Sequence, residues 1–300
     1  MRPVLRGLAV AAAAALLLAR AGLAWPLELP QSDGTTLELE GPADRLITLA
    51  PGLAELVFAA GAGERLLATV EYSDYPEAAA KLPRIGDAFR FDLERILALK
   101  PDLVLAWTSG NPQAALERLE SLAIPVWRIE PRVPGDIPDL MEWIGIATGR
   151  PQEALKPARR LRGRVESIGQ RYAGREPVRY FYQVSPQPLY TLNGEHILSQ
   201  GLALCGGVNV FEAEPVIAPQ VSVEAVLLAD PDVFFAPTIE GHPDPLAQWR
   251  HWPRLRAVST HSLHGLPADA ISRATPRMLD SLELACTLLD QSRSANTESR

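Results

Sequence analysis

The chain has 300 residues, 47% of them hydrophobic and 22% charged, which is ordinary for a globular protein of one large or two modest domains. Its net charge of −7 at pH 7 argues against nucleic acid or anionic lipid as the main partner, because such partners require a basic surface.

The first 24 residues have the pattern of an export signal. Two arginines precede the apolar run "GLAVAAAAALLLA", and small residues follow at Gly22 and Ala24, where a signal peptidase cleaves. The run is about half as long as a membrane-crossing helix requires. We predict a signal peptide over residues 1–24 and a soluble protein beginning near Trp25, rather than an uncleaved anchor or a lipoprotein. Without the three arginines of this segment, 26 basic residues face 36 acidic ones, a net charge of −10.

Short apolar runs alternate with amphipathic stretches from residue 45 onward. The pattern predicts strands at "RLITLA", "RLLATV", "LVLAW" and "IPVWRI", and helices at "GLAELVFAAG", "DLERILALK" and "PQAALERLESLA". Asp92 is the expected N-cap of the second helix, and Pro101 ends it. Strands and helices in alternation are typical of an α/β lobe with a parallel sheet, which we assign to residues 25–134.

The pattern changes after residue 134. The next stretch contains no strand candidate and indicates a helix, a turn and a longer helix; Pro151 suits a helix start, and Pro157 is expected to kink the helix or delay its onset. Strands return at "VRYFYQV", "VFFA" and "LHGL", between helices at "HILSQGLALCGG", "SVEAVLLA" and "TPRMLDSLELACTLLD". We predict a helical linker over 135–175, a second α/β lobe over 176–293 and a disordered tail over 294–300.

One short unit occurs twice. "FDLERILALKPDLVLAW" (91–107) has a fainter copy in "VSVEAVLLADPDVFFAP" (221–237), and each contains a glutamate, Glu94 or Glu224, seven residues before a Pro-Asp pair. Each unit is predicted to be a helix that leads into a central strand, with the glutamate near the helix start. Chance similarity of two α/β segments is the alternative. A duplicated lobe would create a pseudo-symmetric surface suited to a partner built from two like halves.

The chain has two cysteines, Cys205 and Cys286. In an exported protein an even pair favours a disulfide, which would stabilise the fold by roughly 4 kcal/mol through loop closure. Two buried free thiols are the alternative. Neither cysteine has the spacing of a metal site.

Enzyme motifs are missing from the sequence. It has no G-x-S-x-G, P-loop, G-x-G-x-x-G, H-E-x-x-H or C-x-x-C. Five histidines lie in the second half, and the spacing of His261 and His264 could hold a metal, but solvated histidines flanking a strand are the simpler interpretation. We therefore predict a binding protein without catalysis, cofactor or resident metal.

Aromatic residues occur near the ends of predicted strands. They are Tyr72 and Tyr75 in "EYSDYP", Phe89 and Phe91 in "DAFRFD", Trp107 in "LAWTSGN" and Tyr190 in "QPLYTLNG". Ligands bind at the carboxyl ends of strands in α/β lobes. Any one of these rings could belong to core or rim packing, but several on the loops of two facing lobes favour a flat, largely apolar ligand in a cleft.

Six motifs spread over residues 44–290 carry a resemblance. They are "RLITLAPGLAELVFAAG", "YSDYP", "DLERILALKPDLVLAW", "CGGVNVF", "PQVSVEAVLLADPD" and "SRATPRML". Together they resemble the siderophore, haem and cobalamin group of ABC-transporter substrate-binding proteins, and within it the periplasmic cobalamin-binding proteins. The resemblance implies two α/β lobes with central parallel sheets joined by one long backbone helix, the class III architecture of periplasmic binding proteins, with little hinge closure.

The resemblance also implies a set of ligand-binding residues. They are Tyr72, Phe89, Trp107, Tyr190, Asp269 and Arg273. Tyr72, Trp107 and Tyr190 would press on a corrin ring and its edges. Asp269 and Arg273 would hydrogen-bond the amide fringe or the nucleotide tail of the ligand, unless they only form a salt bridge at i, i+4.

Two further pairs match the family. Glu94 and Glu224 match the acids with which the family docks, one per lobe, on arginines of the membrane permease dimer, so the twin units would be the two feet of a docking face. As isolated surface residues these glutamates would only be solvated. Cys205 and Cys286 match the family's disulfide positions.

Two positions depart from the resemblance. Where the cobalamin-binding proteins have a tryptophan before "LERI", this chain has Ala88, with Phe89 and Phe91 beside it; where they have one before "PQVS", it has Ala218. Each lost stacking face could contribute on the order of 1 kcal/mol beyond area burial. We expect a wider cleft, a different grip on the corrinoid, or another ligand.

The sequence thus predicts a monomeric periplasmic protein that captures cobalamin or a related corrinoid and delivers it to the permease dimer of an ABC importer. One alternative keeps the group and changes the ligand. Haem would take Tyr72, Tyr75 or Tyr190 on its iron. A ferric siderophore would use Arg90 and Arg273. A remote alternative is an exported metal-dependent hydrolase, and the clustered histidines are the only feature of the sequence that favours it.

Overall fold

The described chain begins with a small antiparallel hairpin. The computed structural model describes residues 25–298, so the predicted signal peptide lies outside the described residues. Strands β1 (Leu27–Pro30) and β2 (Thr36–Leu39) pair with each other. The indole nitrogen of Trp127 donates to the carbonyl oxygen of Pro30 at 2.8 Å, which fastens this hairpin to the first lobe. The short hairpin was not predicted from the sequence.

The first parallel sheet has four strands. In spatial order they are β4 (Leu66–Ala68), β3 (Leu46–Thr48), β5 (Leu103–Trp107) and β6 (Val126–Ile129). All neighbouring pairs are parallel. Most residues of these strands are buried, because helices cover both faces of a parallel sheet and its strands become near-continuous apolar runs. The predicted strand "LVLAW" coincides with β5.

Helices cover this sheet. They are α1 (Pro51–Ala59), α2 (Glu77–Ala80), α3 (Leu93–Leu99) and α4 (Gln113–Ser121). The side chain of Asp92 accepts a hydrogen bond from the backbone N–H of Arg95 at 3.0 Å, which confirms the predicted N-cap of α3. Lys100 is the C-cap of α3, and Pro101 follows it directly. A proline at this point cannot continue the helix.

Two helices form the link between the lobes. They are α5 (Asp136–Ala147) and α6 (Pro151–Tyr172), and α6 has 22 residues, about 33 Å at 1.5 Å per residue. Pro151 is the first residue of α6, as predicted. Pro157 lies inside the helix and does not delay its onset, so that part of the prediction is wrong. Pro157 removes one backbone hydrogen bond, yet the helix continues, with Ala154 before it and Ala158 after it buried.

The second parallel sheet also has four strands. In spatial order they are β10 (Gly207–Asn209), β7 (Val178–Tyr182), β11 (Val233–Thr238) and β12 (Leu263–Pro267). A small antiparallel hairpin, β8 (Ser185–Pro186) and β9 (Leu189–Tyr190), follows β7. Strands β7, β11 and β12 were predicted, whereas three-residue β10 has too short an apolar run to be recognised.

Helices of the second lobe include one long terminal helix. They are α7 (Ile197–Ala203), α8 (Val223–Ala229), α9 (Arg256–Ser259), α10 (Ala268–Ile271) and α11 (Pro276–Glu298). Helix α11 extends to Glu298, five residues into the segment 294–300 for which the sequence predicts disorder. Residues 299 and 300 lie outside the described residues. The domain boundaries at 134, 175 and 293 remain predictions.

The two sheets share one strand order. Counted within each lobe, both run second, first, third, fourth across the sheet. The two similar sequence units occupy equivalent positions in the two lobes. Their helices, α3 and α8, each have seven residues, and each precedes the third strand of its sheet. Each helix has a side-chain N-cap and ends at a residue with positive φ, Lys100 at 46° and Asp230 at 40°. Chance similarity does not explain so many shared features, and the lobes are structural duplicates.

One hydrophobic cluster runs through both lobes and the link between them. It includes Leu46 and Leu103 of the first lobe, Leu161 of α6, and Tyr180 and Phe235 of the second lobe. Each lobe also has one smaller hydrophobic cluster of its own, on the face of its sheet that the large cluster does not cover. An apolar core that continues across the junction makes relative movement of the lobes costly, because movement would expose it to water.

Candidate ligand-binding site

The predicted ligand-binding residues lie near the carboxyl ends of strands or on the loops beside them. In chain order they are Tyr72 after β4, Phe89 before α3, Trp107 at the end of β5, Tyr190 in β9, and Asp269 and Arg273 after β12. The carboxyl edge of a parallel sheet is where ligands bind in α/β folds, because the loops there diverge and leave a crevice. The fold therefore provides each lobe with a set of loops suited to a ligand.

Tyr72 has an unusual backbone and an exposed ring. Its φ is 64°, in the left-handed region that residues other than glycine seldom adopt. Its side chain is among the most exposed of the large hydrophobic side chains in the described chain, with 75% of the residue surface open. A strained residue keeps such a conformation only when neighbouring contacts fix it. One of these contacts comes from the other lobe, where the Arg273 guanidinium donates to the Tyr72 carbonyl oxygen at 3.1 Å.

Arg273 connects the lobes. Only 14% of its side chain is exposed, and it donates to Asp74 at 3.1 Å and to Asp269 at 3.3 Å in addition to Tyr72. Asp269 belongs to the second lobe, whereas Asp74 and Tyr72 belong to the first. The i, i+4 salt bridge that the sequence left open is thus present, as one part of a larger network. The structure brings Tyr72, Asp269 and Arg273 together.

The loops that carry Phe89 and Trp107 are joined through the buried side-chain amide of Asn111. Asn111 accepts a hydrogen bond from the backbone N–H of Trp107 at 2.6 Å. Its amide nitrogen donates to the carbonyl oxygens of Ala88 at 2.8 Å and Leu49 at 2.9 Å. One side chain therefore holds the loop of exposed Phe89 beside the loop of Trp107. Asn111 was missed in the sequence; its place in "TSGNP", directly after a predicted strand, was the available signal.

The indole of Trp107 is held in place but remains accessible. Its Nε1 donates to Glu130 at 3.4 Å, and a Cβ atom added at Gly110 would lie 1.9 Å from the ring. Only glycine permits that approach of backbone to ring. Because 37% of Trp107 is exposed, the ring can offer apolar surface to a ligand without first being ordered.

Tyr190 lies opposite a strand-like segment. It forms an isolated bridge with Gln220, and the N–H of Asn193 donates to the carbonyl oxygen of Ile217 at 2.9 Å. This antiparallel alignment puts Ala218 on the same face as Tyr190, because side chains alternate along a strand. Ala218 is exposed, so the surface beside Tyr190 is not filled by a large side chain.

A second arginine lies one turn after Arg273. Arg277 donates from Nε and Nη2 to the two carboxylate oxygens of Glu55, at 2.8 and 2.7 Å. These hydrogen bonds raise the pKa of Arg277 above its ordinary value. Its guanidinium carbon also lies 3.9 Å from the ring centroid of Tyr75. None of these contacts was predicted; the signal was Glu55, the one charged residue in the apolar helix α1.

The two predicted docking acids lie on the surface. Glu94 and Glu224 are exposed and occupy the first turns of α3 and α8. Acidic residues at these positions interact favourably with the helix dipole. Leu228, one turn after Glu224, is also exposed. The two acids are therefore accessible to a partner at equivalent points of the two lobes.

Cys205 and Cys286 form a disulfide, with 5.5 Å between their Cα atoms. Both residues are buried, and the bond ties the end of α7 to α11. The predicted disulfide is confirmed, and the alternative of two free thiols is wrong.

The histidines do not form a metal centre with other side chains of residues 25–294, the part of the chain whose side chains the structure describes. In that part of the chain no group of three or more His, Cys, Asp or Glu residues could hold an ion. His261 is exposed, and His264 lies in β12, where burial lowers its pKa. The His264 ring lies 6.1 Å from that of Phe235 in the neighbouring strand.

Comparisons with known proteins point to one family. The family model "Periplasmic binding protein" matches residues 46–270. The vitamin B12-binding protein of Vibrio cholerae serotype O1 is 40% identical over 252 residues, covering 83% of this chain and 90% of that protein. The crystal structure of the periplasmic vitamin B12 binding protein BtuF of Vibrio cholerae superposes with a TM-score of 0.78 at 39% identity, covering 84% of this chain and 98% of that one.

A more distant structure shows the fold alone. The periplasmic haem-binding protein RhuT from Roseiflexus sp. RS-1, in apo form, has a TM-score of 0.70 at 22% identity and covers 84% of this chain and 99% of its own. No helix in the described part of the chain is long and apolar enough to cross a membrane. The resemblance and the two-lobe α/β fold predicted from the sequence are both confirmed. The chain belongs to the periplasmic binding protein family.

Proposed function

We propose that this protein captures cobalamin or a related corrinoid between its two lobes, in the periplasm, and delivers it to an ABC importer. The observation that carries the proposal is the 40% identity, over 83% of the chain, with a protein named for vitamin B12 binding. The match spans both lobes and so includes the loops at both sheet edges, where ligands bind in α/β folds. Residues 1–24 would serve as the export signal.

The proposed contacts follow from the exposed side chains of these loops. Tyr72, Trp107 and Tyr190 would press on the corrin ring and its edges, with Phe89 beside them. Asp269 would meet the amide fringe of the ligand. Arg273 would share its donors between the ligand and the oxygens it already binds, so its role includes holding the Tyr72 loop. Affinity would come mainly from apolar contact in a preformed site.

No covalent chemistry is needed for this role. The relatives are substrate-binding proteins rather than enzymes. A monomer with one ligand would meet a permease dimer through Glu94 and Glu224, one acid on each duplicated lobe. Arginines on the permease would complement these acids, since charge pairs at the rim of an interface guide orientation and association.

Calorimetric titration of the exported form with cyanocobalamin tests the ligand. We expect one site per chain and a Kd of about 1 μM or tighter, with a change in the absorbance of the corrin on binding. Absence of both heat and spectral change at high micromolar ligand would exclude cobalamin. The variant Glu166→Gln, at an exposed position of helix α6, is a control that should bind as the unchanged protein does.

Haem is a second candidate because Tyr72 presents an exposed ring beside the site. A phenolate on iron would shift the Soret band of hemin. Titration with hemin under the same conditions distinguishes the two: a saturable Soret shift that Tyr72→Phe abolishes, together with no response to cyanocobalamin, would replace the proposed ligand. A ferric siderophore is less favoured, since Arg273 already donates to three protein oxygens.

A further inference from the structure

Glu55 is a carboxylate buried inside an apolar helix. Its side chain is 2% exposed, and its neighbours Ala54, Leu56 and Val57 on α1 are buried apolar residues. Burying an unpaired carboxylate is costly, because the protein must replace the water that solvates it. The fork of Arg277 meets both carboxylate oxygens, at 2.8 and 2.7 Å. The two residues belong to different lobes, so this buried pair is made only when the lobes are together.

The outer side of Arg277 contacts an aromatic ring of the candidate site. Its guanidinium lies over Tyr75 at 3.9 Å, within the range of a cation–π contact. Tyr75 is itself partly exposed. Glu55 orients Arg277, and Arg277 in turn supports one face of the Tyr75 ring. Contacts therefore run from Glu55 in the core of the first lobe to Arg277 in the second lobe, and from Arg277 back to Tyr75 in the first lobe.

Tyr75 lies at one end of a short loop of the first lobe, and Tyr72 lies at the other end. The segment of the second lobe that carries Arg277 also contacts the Tyr72 end. Arg273, one turn before Arg277, binds the carbonyl oxygen of Tyr72 and the carboxylate of Asp74. The backbones are close here, since a Cβ atom added at Gly52 would lie 3.6 Å from the Cβ of Arg273. Two arginines of one segment thus hold both ends of the loop that runs from Tyr72 to Tyr75. We call Glu55, Arg273 and Arg277 the interlobe clasp.

We propose that Glu55 and Arg277 are positioning residues of the ligand site: they hold the loop from Tyr72 to Tyr75 in its binding geometry before the ligand arrives. The strained backbone of Tyr72 requires such outside support. A loop ordered in advance loses less entropy on binding, so the clasp increases affinity without touching the ligand. The expected effect on affinity rests on the proposed function, because it takes cobalamin as the ligand. The expected effect on the order of the loop does not depend on the ligand.

Arg277→Lys tests the positioning role. Lysine keeps the charge but replaces the planar fork by one ammonium, so it cannot bind both oxygens of Glu55 and stack on Tyr75 together. We expect the Kd for cyanocobalamin to rise about tenfold, the equivalent of one charged hydrogen bond. Arg164→Lys is the matched control, because Arg164 bridges Asp280 and Glu283 away from the loop. The control should bind with unchanged affinity.

A double variant separates positioning from general stability. In Glu55→Met with Arg277→Met neither a charge nor an unpaired polar group is buried, so the melting temperature should stay close to that of the unchanged protein. The affinity should remain as weak as in Arg277→Lys, because methionine cannot support Tyr75 in the same way. If the double variant binds as tightly as the unchanged protein, the positioning role is wrong.

Hydrogen exchange without ligand gives a readout that is independent of cobalamin. Backbone amides of residues 69–78 should exchange about tenfold faster in Arg277→Lys and at the original rate in Arg164→Lys. Unaltered exchange in Arg277→Lys would overturn the proposal, and so would faster exchange with unchanged affinity. If the unchanged protein does not bind cobalamin, the proposed function fails, whereas the exchange rates still decide whether the clasp holds the loop.

Discussion

At the scale of single residues, buried polar side chains hold the exposed ones. The side-chain amide of Asn111 makes three hydrogen bonds, all with backbone atoms, of Trp107, Ala88 and Leu49. Arg273 reaches across the lobes to the backbone of Tyr72 and also binds two carboxylates. Each buried donor or acceptor that lost its partner would cost about 1–3 kcal/mol, so these networks form as a whole. Hydrogen bonds to the backbone beside Tyr72 and Trp107 can therefore fix loops whose rings stay exposed.

His196 leads to a prediction about acid stability. It is the N-cap of α7, where Nδ1 accepts from the N–H of Leu198 at 3.1 Å, and burial lowers its pKa to about 4. Because the unfolded chain takes up this proton near pH 6.5, the contribution is complete above about pH 6.5 and is lost as the pH falls towards 4. The loss is on the order of 3 kcal/mol.

Urea unfolding between pH 4 and 7.5 measures this contribution. The free energy of unfolding of the unchanged protein should fall more steeply below pH 6.5 than that of His196→Asn, which keeps a cap but does not titrate. His242→Asn is the control, since His242 is exposed and should leave the pH profile as it is. Parallel profiles for His196→Asn and the unchanged protein would contradict the assignment.

At the scale of elements, the twin helices α3 and α8 explain why one acid recurs in each lobe. Each helix starts at a side-chain cap, buries one residue, Ile96 or Val226, and ends in a left-handed residue before Pro-Asp. Capping and burial leave the second helical position, Glu94 or Glu224, free to point outward. The acids therefore inherit equivalent surroundings from the duplicated fold.

Charge reversal tests the proposed docking. The double variant Glu94→Lys with Glu224→Lys should reduce uptake of cobalamin by cells at least about tenfold, because like charges would face the permease arginines. The Kd for cyanocobalamin should change less than about twofold, since both acids lie outside the candidate site. Glu117→Lys with Glu166→Lys changes the net charge equally at other exposed positions and should support normal uptake. Equal uptake by both double variants would refute the docking role.

At the scale of the whole molecule, one continuous apolar core holds the two lobes as a unit, and one disulfide fastens elements within the second lobe. The largest apolar cluster passes from the first lobe through α6 into the second, and Arg164 of α6 binds Asp280 and Glu283 of α11. The Cys205–Cys286 bond, with a sequence separation of 81 residues, closes a long loop within the second lobe. A fixed pair of lobes is consistent with a ligand site formed before binding.

Removing the disulfide should lower the free energy of unfolding by about 4 kcal/mol, the loop-closure value for a loop of this length. The double variant Cys205→Ser with Cys286→Ser, compared with the unchanged protein by urea unfolding, measures the change. Reduction of the unchanged protein should reproduce it, and should leave the double variant unaffected. A difference below about 1 kcal/mol would show that the bond contributes little.

Local signals in the sequence determined much of this fold. Asp92 and Pro101 bracket α3, "LVLAW" coincides with β5, and Pro151 begins α6, because caps, prolines and apolar runs act on their nearest neighbours. The disulfide was predicted from an even pair of cysteines in an exported protein, and the resemblance matched both positions. Short elements such as β10 and the β1–β2 hairpin were missed, since three or four residues contain too little of a period to recognise.

The contacts that build the candidate site were decided by the tertiary structure. Glu55 and Arg277 are separated by 222 positions, and Arg273 and Tyr72 by 201, and no local pattern relates residues so far apart. The positive φ of Tyr72 is maintained by a partner from the other lobe rather than by its own neighbours in the chain. The sequence alone determines which segments form strands and helices, whereas the meeting of the two lobes determines which side chains are held in place and which remain open to a ligand.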